Sequence, residues 1–444
     1  MWRSGKWLLS SALALFAIGS VVSHRGGSGN VALSTQSPAG YRFENLPATG
    51  GNSDELFVVL TFSGGGTRAA ALAYGVLLEL RETRFTWKGR TSTLLDEVDV
   101  ISSVSGGSFT AAYYGLHRER TFATFERDML HRNVGRELAL AALRPDRAFA
   151  LPLTYYNRSD VAADLYDRSV FGHATFEHLA SQGRPFIVIN ATDLSRGAPF
   201  EFTQNRFDLL CSDLSRFRVG AAVAASAGFP GLLTPMRMEN YAGRCGFALP
   251  VTIENTRHDR LINPHRYLKG NRLRSYLDAG RRPYVHLVDG GVSDNLGLHT
   301  ILDGMNEDIP DVPVANLIED GSIRKLIVIS VNAGTEEDDE IDRSPRTPGL
   351  ATVIAKSAYA PIDNSSFQFL DFVRIGMNAF SEQADVHLVH VNFESIPPRM
   401  DPAYYKTLPT NFNLPRGTVN KVRDIGRFIL REDPSFRRLR ATLR

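Results

Sequence analysis

The run Leu56-Phe-Val-Val-Leu-Thr-Phe62 constrains the fold more than any other part of the chain, because Ser63-Gly-Gly-Gly66 and the helix-forming stretch Ala69 to Leu80 follow it directly. A continuous apolar run without polar alternation fits a strand buried on both faces, as in a parallel sheet. A glycine turn leading straight into a helix is the first half of a βαβ unit. The pattern recurs, with Val98-Asp-Val-Ile101 as a strand, Ser105 at the turn and Phe109 to Leu116 as a helix. Pro185 to Asn190, Tyr284 to Val288 and Leu326 to Val331 read as further buried strands, and the alternating Val386 to Asn392 as an edge strand. Residues 117–180 look helical, Ala221 to Ala227 reads as a small-residue helix stopping at Phe229-Pro230, and Thr418 to Leu443 as an arginine-rich amphipathic helix or pair. Strands alternating with helices predict a layered α/β fold around a largely parallel sheet.

A chain of 444 residues exceeds one small core, since single cores stop growing near roughly 250–300 residues. One large α/β domain with an inserted or appended subdomain, or two poorly separated domains, accommodates the length. With 50 basic against 48 acidic residues, the formal charge of +2 gives no sign of a nucleic-acid partner. At the N-terminus a basic head, Met1-Trp-Arg-Ser-Gly-Lys6, precedes an apolar run from Leu8 to Val22. That run is short for a bilayer span and fits the core of a signal peptide within residues 1–23, removed on export to the periplasm or beyond, or kept as an anchor. No cysteine follows it to suggest lipoprotein processing. Residues 24–54, rich in Gly, Ser, Asn and Pro, read as a linker. In an exported chain Cys211 and Cys245 can form one disulfide; two separate buried thiols are the alternative. Thr335-Glu-Glu-Asp-Asp-Glu340 reads as a solvated loop whose spacing matches no calcium loop.

Three separated signals carry chemistry. Ile101-Ser-Ser-Val-Ser-Gly-Gly-Ser108 places Ser105 on a tight strand-to-helix turn, which exposes a hydroxyl and aims the first helical amides at a reacting group. Such a turn needs small residues two positions either side, here Ser103 and Gly107, so the pattern is Ser-x-Ser-x-Gly. Gly64, Gly65 and Gly66 offer bare backbone amides for an oxyanion, each such donor worth about 3 kcal/mol, and Arg68 follows where its charge can reinforce them or grip a phosphate. Asp289, ending an apolar strand ahead of Gly290-Gly291, supplies a carboxylate. In a parallel sheet reactive groups gather beyond the carboxyl ends of the strands, which puts Ser105 and Asp289 on one edge. The glycine run also fits a dinucleotide fingerprint, Gly64-x-Gly66-x-x-Ala69, but that reading leaves the serine turn and Asp-Gly-Gly unexplained. A hydrolase triad would need a histidine after the acid; His299, His387 and His390 are available, the last two on opposite faces of their strand.

In Gly64-Gly-Gly-Thr-Arg68, Ser103-Val-Ser-Gly-Gly107, Asp289-Gly-Gly291 and Ala225-Ser-Ala-Gly-Phe-Pro230, the chain resembles the patatin-like phospholipases over about residues 56–300. The resemblance implies a three-layer α/β/α fold and a Ser–Asp dyad, with Ser105 as nucleophile and Asp289 as general base. Gly64 to Gly66 would then form the oxyanion loop, supported by Arg68, Gly107, Gly290 and Gly291. It further implies hydrolysis of fatty-acyl esters of membrane lipid or phospholipid at a membrane surface, with no metal or organic cofactor. Segments between 140 and 180 are candidates for an acyl-chain wall or lid, or plain core helices. Residues 301–444 carry no motif of that family and read as a C-terminal extension of the same domain, 55–444. A membrane-associated scaffold with a vestigial site and a nucleotide-binding enzyme are the alternatives.

Overall fold

The computed structural model describes residues 29–50, 52–143, 157–229, 233–306, 310–335, 345–349 and 366–443. The apolar N-terminal run, the aromatic cluster before Asn157, Pro230 and the acidic residues 336–340 lie outside the described residues. In chain order the strands are β1 (Val31–Ala32), β2 (Leu56–Phe62), β3 (Arg84–Trp87), β4 (Arg90–Thr93), β5 (Val98–Val104) and β6 (Phe186–Asp193). They continue as β7 (Ala198–Glu201), β8 (Ser212–Asp213), β9 (Met236–Glu239), β10 (Tyr284–Asp289), β11 (Lys325–Asn332) and β12 (Asp385–Asn392). The helices that matter below are α1 (Gly66–Glu82), α2 (Gly106–His117), α3 (Val219–Ser226), α4 (Pro264–Tyr276), α5 (His299–Asn306), α6 (Arg416–Glu432) and α7 (Pro434–Thr442).

The central sheet runs β12-β11-β2-β5-β6, each strand parallel to its neighbour, with β12 at the edge. Every residue of β2 and β5 is buried, as an unalternating apolar run requires when helices flank the sheet. Phe62 lies beside Val331 on one side and Ser103 on the other, so the carboxyl ends of β11, β2 and β5 line up. Both turns singled out in the sequence leave from that edge. The chain order also reverses there, with β5 on one flank of β2 and the much later β11 on the other. Such a reversal opens a crevice beyond the strand ends.

The sheet departs from the parallel expectation at β10, which runs antiparallel to β6 with Asp289 opposite Ala191. Asn190 faces Val104 of β5 on one side and Glu201 of β7 on the other. Since β7 continues along its side to Asp193, β10 must occupy the β5 side, beyond the end of β5. The carboxyl ends of β5 and β10 therefore meet head-on along one edge of β6. Asp289 reaches the active edge from outside rather than alongside Ser105, a topology that strand hydrophobicity does not encode.

The C-terminal third is built into the same core. β11 sits beside β2, and the buried Glu79 of α1 receives a two-pronged ion pair from Arg431 of α6, at 2.8 and 2.6 Å. The expected linker is also partly structural. β1 pairs with β8, Tyr41 and Phe43 are buried, the Tyr41 hydroxyl brackets the backbone of Ile187, and Arg42 meets Asp208 at 2.5 Å. Its polar composition obscured two aromatic anchors. Cys211 and Cys245 are joined, with an S–S distance of 2.10 Å, fastening the loop after β9 to the turn before β8.

Candidate active site

Ser105 links β5 to α2 with φ 49° and ψ −116°, a left-handed conformation unfavourable for a residue with a side chain. Its surroundings hold it there. The Ser105 amide donates to Ser226 Oγ at 2.8 Å, and the Ser226 hydroxyl donates to the Asn190 carbonyl at 2.6 Å. With that proton committed, Ser108 Oγ is the donor in its 3.0 Å contact with Ser226. The Gly107 amide closes the turn onto the Ser63 carbonyl at 3.2 Å. A Cβ on Gly106 would lie 2.1 Å from the Gly66 carbonyl oxygen, and one on Gly107 would lie 2.7 Å from Phe62, so the turn and the glycine loop touch backbone to backbone. Ser103, where glycine was the alternative, is accommodated: it is buried and its hydroxyl donates to the Val188 carbonyl at 3.1 Å.

The Asp289 carboxyl is reached by the Ser105 hydroxyl and accepts the Gly291 amide at 2.9 Å. Burial pushes its pKa up to about 6, against the pull of those two donors. Its backbone is fixed as well, the amide donating to Gly228 and the carbonyl accepting from Thr192 Oγ1. A carboxyl with this pKa is ionised at neutral pH yet still basic enough to take a proton.

The three glycines are not equivalent. The Gly64 amide is occupied, donating to the Asn295 carbonyl at 3.1 Å, whereas those of Gly65 and Gly66 have no hydrogen-bond partner among the described residues. Arg68 is buried and spans to the C-terminal third. Its Nε donates to the Ala333 carbonyl at 2.8 Å, one terminal nitrogen to the Leu408 carbonyl, and the other to Thr410 Oγ1 at 3.1 Å. The Thr67 amide adds a bond to the Asn411 carbonyl at 2.9 Å. The guanidinium thus clamps residues 408–411 against the glycine loop while lining the cleft beside it.

Ser105, Asp289 and the glycine loop share one cleft of about 140 Å³, walled by Ala227, Phe229, Val292, Asn295 and Phe412. It combines a serine hydroxyl, a buried carboxyl, two unused amides and an apolar wall, the set required for attack on an acyl carbonyl. No histidine lines it among the described residues. His299 Nδ1 lies 3.2 Å from Asp294 on another face, and His387 and His390 are on the edge strand β12.

The family model described as patatin-like phospholipase matches residues 60–302, which include all three signals and more than half of the chain. The chain belongs to the patatin-like phospholipase family. Among solved structures it is similar to human GIVD cytosolic phospholipase A2, at 12% identity and TM-score 0.42, over 88% of this chain and 60% of that one. VipD from Legionella pneumophila is similar at 10% identity and TM-score 0.34, over 88% of this chain and 67% of that one. No curated protein matches the chain. The patatin-like span ends before the segments that complete the cleft, since Gly334, Thr335 and Thr410 to Phe412 all line it.

Sequence reasoning missed three parts of this patatin-like site. Asn295 lies four residues after Gly291, one helical turn on, and its side chain lies against both Gly64 and Gly291; that spacing was the available signal. Ser226 stands inside the quoted small-residue block, where no motif distinguishes a hydroxyl that bonds the nucleophile's amide. Thr410 to Phe412 gave no signal.

Proposed function

We propose that the chain is a lipid acyl hydrolase of phospholipase A or lysophospholipase type that acts through a Ser105–Asp289 dyad. The observation that carries this reading is the shared cleft, in which Ser105 lies with the buried Asp289 carboxyl, its pKa raised to about 6, and the unused Gly65 and Gly66 amides. Ser105 Oγ attacks the ester carbonyl while its proton passes to Asp289. The Gly65 and Gly66 amides hold the oxyanion, so the assignment is narrower than the three-glycine loop. The ester C–O bond breaks, the leaving alkoxide takes the proton from Asp289, and an acyl-Ser105 ester remains. Asp289 then removes a proton from water, whose oxygen attacks the acyl carbonyl; the acyl–Oγ bond breaks as Asp289 returns that proton to Ser105 Oγ, releasing the fatty acid and the free serine. No step uses a metal or organic cofactor. The site's position in an exported or membrane-anchored chain is supported by the Cys211–Cys245 disulfide, a bond of oxidising compartments.

The test is labelling with an alkyl fluorophosphonate, followed by peptide mapping. An adduct on Ser105 is expected, with loss of labelling in Ser105→Ala and ester hydrolysis reduced roughly 10⁵-fold in that variant. An adduct on another residue, or full hydrolysis by Ser105→Ala, sinks the proposal. Nucleotide binding that survives the loss of Ser105 would favour an unrelated use of the glycine loop, and absence of any adduct a vestigial site.

A further inference from the structure

The 240–283 insertion contains an apolar tip inside a basic segment. Leu261 and Ile262 are adjacent and 91% and 88% exposed, and Val251 nearby is 73% exposed. Side chains of this kind are normally buried, and two fully exposed neighbours at one tip are costly in water. From 251 to 276 the segment holds Arg257, Arg260, Arg266, Lys269, Arg272 and Arg274 against only Glu254 and Asp259. The rest of the chain is therefore slightly acidic, since its total is 50 basic against 48 acidic residues. Arg260, next to the tip, is exposed and forms no ion pair among the described residues.

The topology sets where this segment emerges. It joins β9 to β10 at the Glu239–Tyr284 pair, and Tyr284 lies five residues ahead of Asp289, about 17 Å further out at the strand rise. β6 ends opposite Leu287, so the insertion springs from strand ends that reach past the carboxyl edge of the sheet, the edge that carries Ser105. The segment is anchored there, with Tyr276 and Arg282 both on the buried Asp193, at 2.8 and 2.5 Å. The C-terminal base of the insertion is thus fixed to the end of β6.

We propose that Leu261 and Ile262, with the surrounding arginines, are an interfacial anchor that inserts into the headgroup layer of an anionic lipid bilayer. The choice of a bilayer over a protein partner rests on the lipid-ester reading above and on size: two projecting side chains cannot supply the roughly 800 Å² per partner of a stable protein interface. They suit a headgroup layer, where apolar insertion and basic residues act together.

The experiment uses the full chain carrying Ser105→Ala, so that binding is read without turnover, and vesicles of phosphatidylcholine with or without phosphatidylglycerol. Sedimentation with the anionic vesicles, weakened by salt, is expected. Adding Leu261→Ser and Ile262→Ser should weaken it on the order of 30-fold, and Arg260→Glu about fivefold with a shallower salt dependence. In the active chain, the double tip substitution should slow hydrolysis of vesicle lipid while leaving a dispersed short-chain ester and the unfolding temperature unchanged. Undiminished vesicle binding by the tip variant overturns the anchor, as does a wild-type chain that ignores vesicles and pairs through the tip with an acidic protein. Tip-dependent vesicle binding without any fatty-acid release would instead leave the anchor standing and sink the hydrolase reading.

Discussion

The two ends of β5 each hold a buried carboxyl raised by burial, and they are built for opposite purposes. At the amino end Asp99, pushed up to about 7, accepts from the Val58 amide at 2.9 Å, Asn52 at 3.0 Å and Arg184 at 3.1 Å. All of those donors belong to the fold. At the carboxyl end Asp289, pushed up to about 6, has the Gly291 amide and, in the same cleft, the Ser105 hydroxyl, whose proton moves in the proposed mechanism. A structural carboxyl is surrounded by donors that stay; a reactive one keeps a place for a donor that moves. Raised pKa alone does not separate the two, but the partners do.

Asp289→Asn should break the comparison most visibly. Loss of the base is expected to lower kcat/KM by about 10³–10⁴-fold, in the range of general-base contributions. In the unaltered chain kcat/KM should rise with pH and reach half its plateau near 6, where the carboxyl ionises. The stability sign is the reverse of the usual carboxylate case. A folded pKa of about 6 above a model value of 3.8 means the folded state binds the proton more tightly. Stability from this group is greatest below 3.8, falls as pH rises toward 6, and stays reduced above it. The asparagine variant escapes that penalty and should be up to about 3 kcal/mol more stable at pH 7, read from urea midpoints at pH 4 and pH 7. An inactive variant no more stable than wild type at pH 7 would show that Asp289 is not a strained carboxyl.

Gly66→Ala is the next largest effect at the same end. Its Cβ would stand 2.3 Å from the Asn411 carbonyl oxygen, a backbone atom with no freedom to swing aside, and Gly66 has φ 60°. The glycine loop or the 410–412 wall must move, misaligning the amides assigned to the oxyanion. The expected loss is about 10²-fold or more in kcat, with substrate KM changed far less. A kcat within twofold of wild type would remove the Gly65–Gly66 amides from the mechanism.

Asp99→Ala should act on the fold alone. It strands the Val58 amide and the Arg184 charge, an expected cost of about 3 kcal/mol or more, visible as a lowered unfolding midpoint. Hydrolysis per folded molecule should match wild type. A selective loss of kcat without loss of stability would erase the distinction between the two ends.

What was legible in the sequence divides along similar lines. β2 and β5 could be read because burial on both faces leaves an unbroken apolar run, and Ser105, Gly64 to Gly66 and Asp289 because tight turns restrict residue type. The direction of β10 could not be read, since Tyr284 to Asp289 is equally apolar whichever way it runs. Neither could the role of Arg68, whose partners Ala333, Leu408 and Thr410 are chosen by tertiary contact; three of its contacts lie more than 260 residues away. The inward packing of Tyr41 and Phe43 was masked by a polar neighbourhood. Asn295 and Ser226 act through single hydrogen bonds and close contacts that no local pattern advertises.

Ser226 gives the smallest expected effect and the finest test of how the reactive end is held. Its hydroxyl receives the Ser105 amide, donates to the Asn190 carbonyl, and receives Ser108 Oγ. Asn190 in turn donates to Ser102 Oγ and the Ser103 carbonyl, tying β6 to the last turn of β5. In Ser226→Ala the Ser105 amide loses its acceptor while Ser105 and Asp289 keep their side chains. The unpaired groups should cost about 1–3 kcal/mol of stability. Relaxation of the left-handed turn should lower kcat about tenfold, because small misplacements of a nucleophile are expensive, with the apparent pKa near 6 unchanged. Ser226→Thr, which restores the hydroxyl, should recover most of the rate if the added methyl fits. A shifted pH profile in Ser226→Ala would mean that the hydroxyl acts on Asp289, and that nucleophile and base are held by one network instead of two that meet at the cleft.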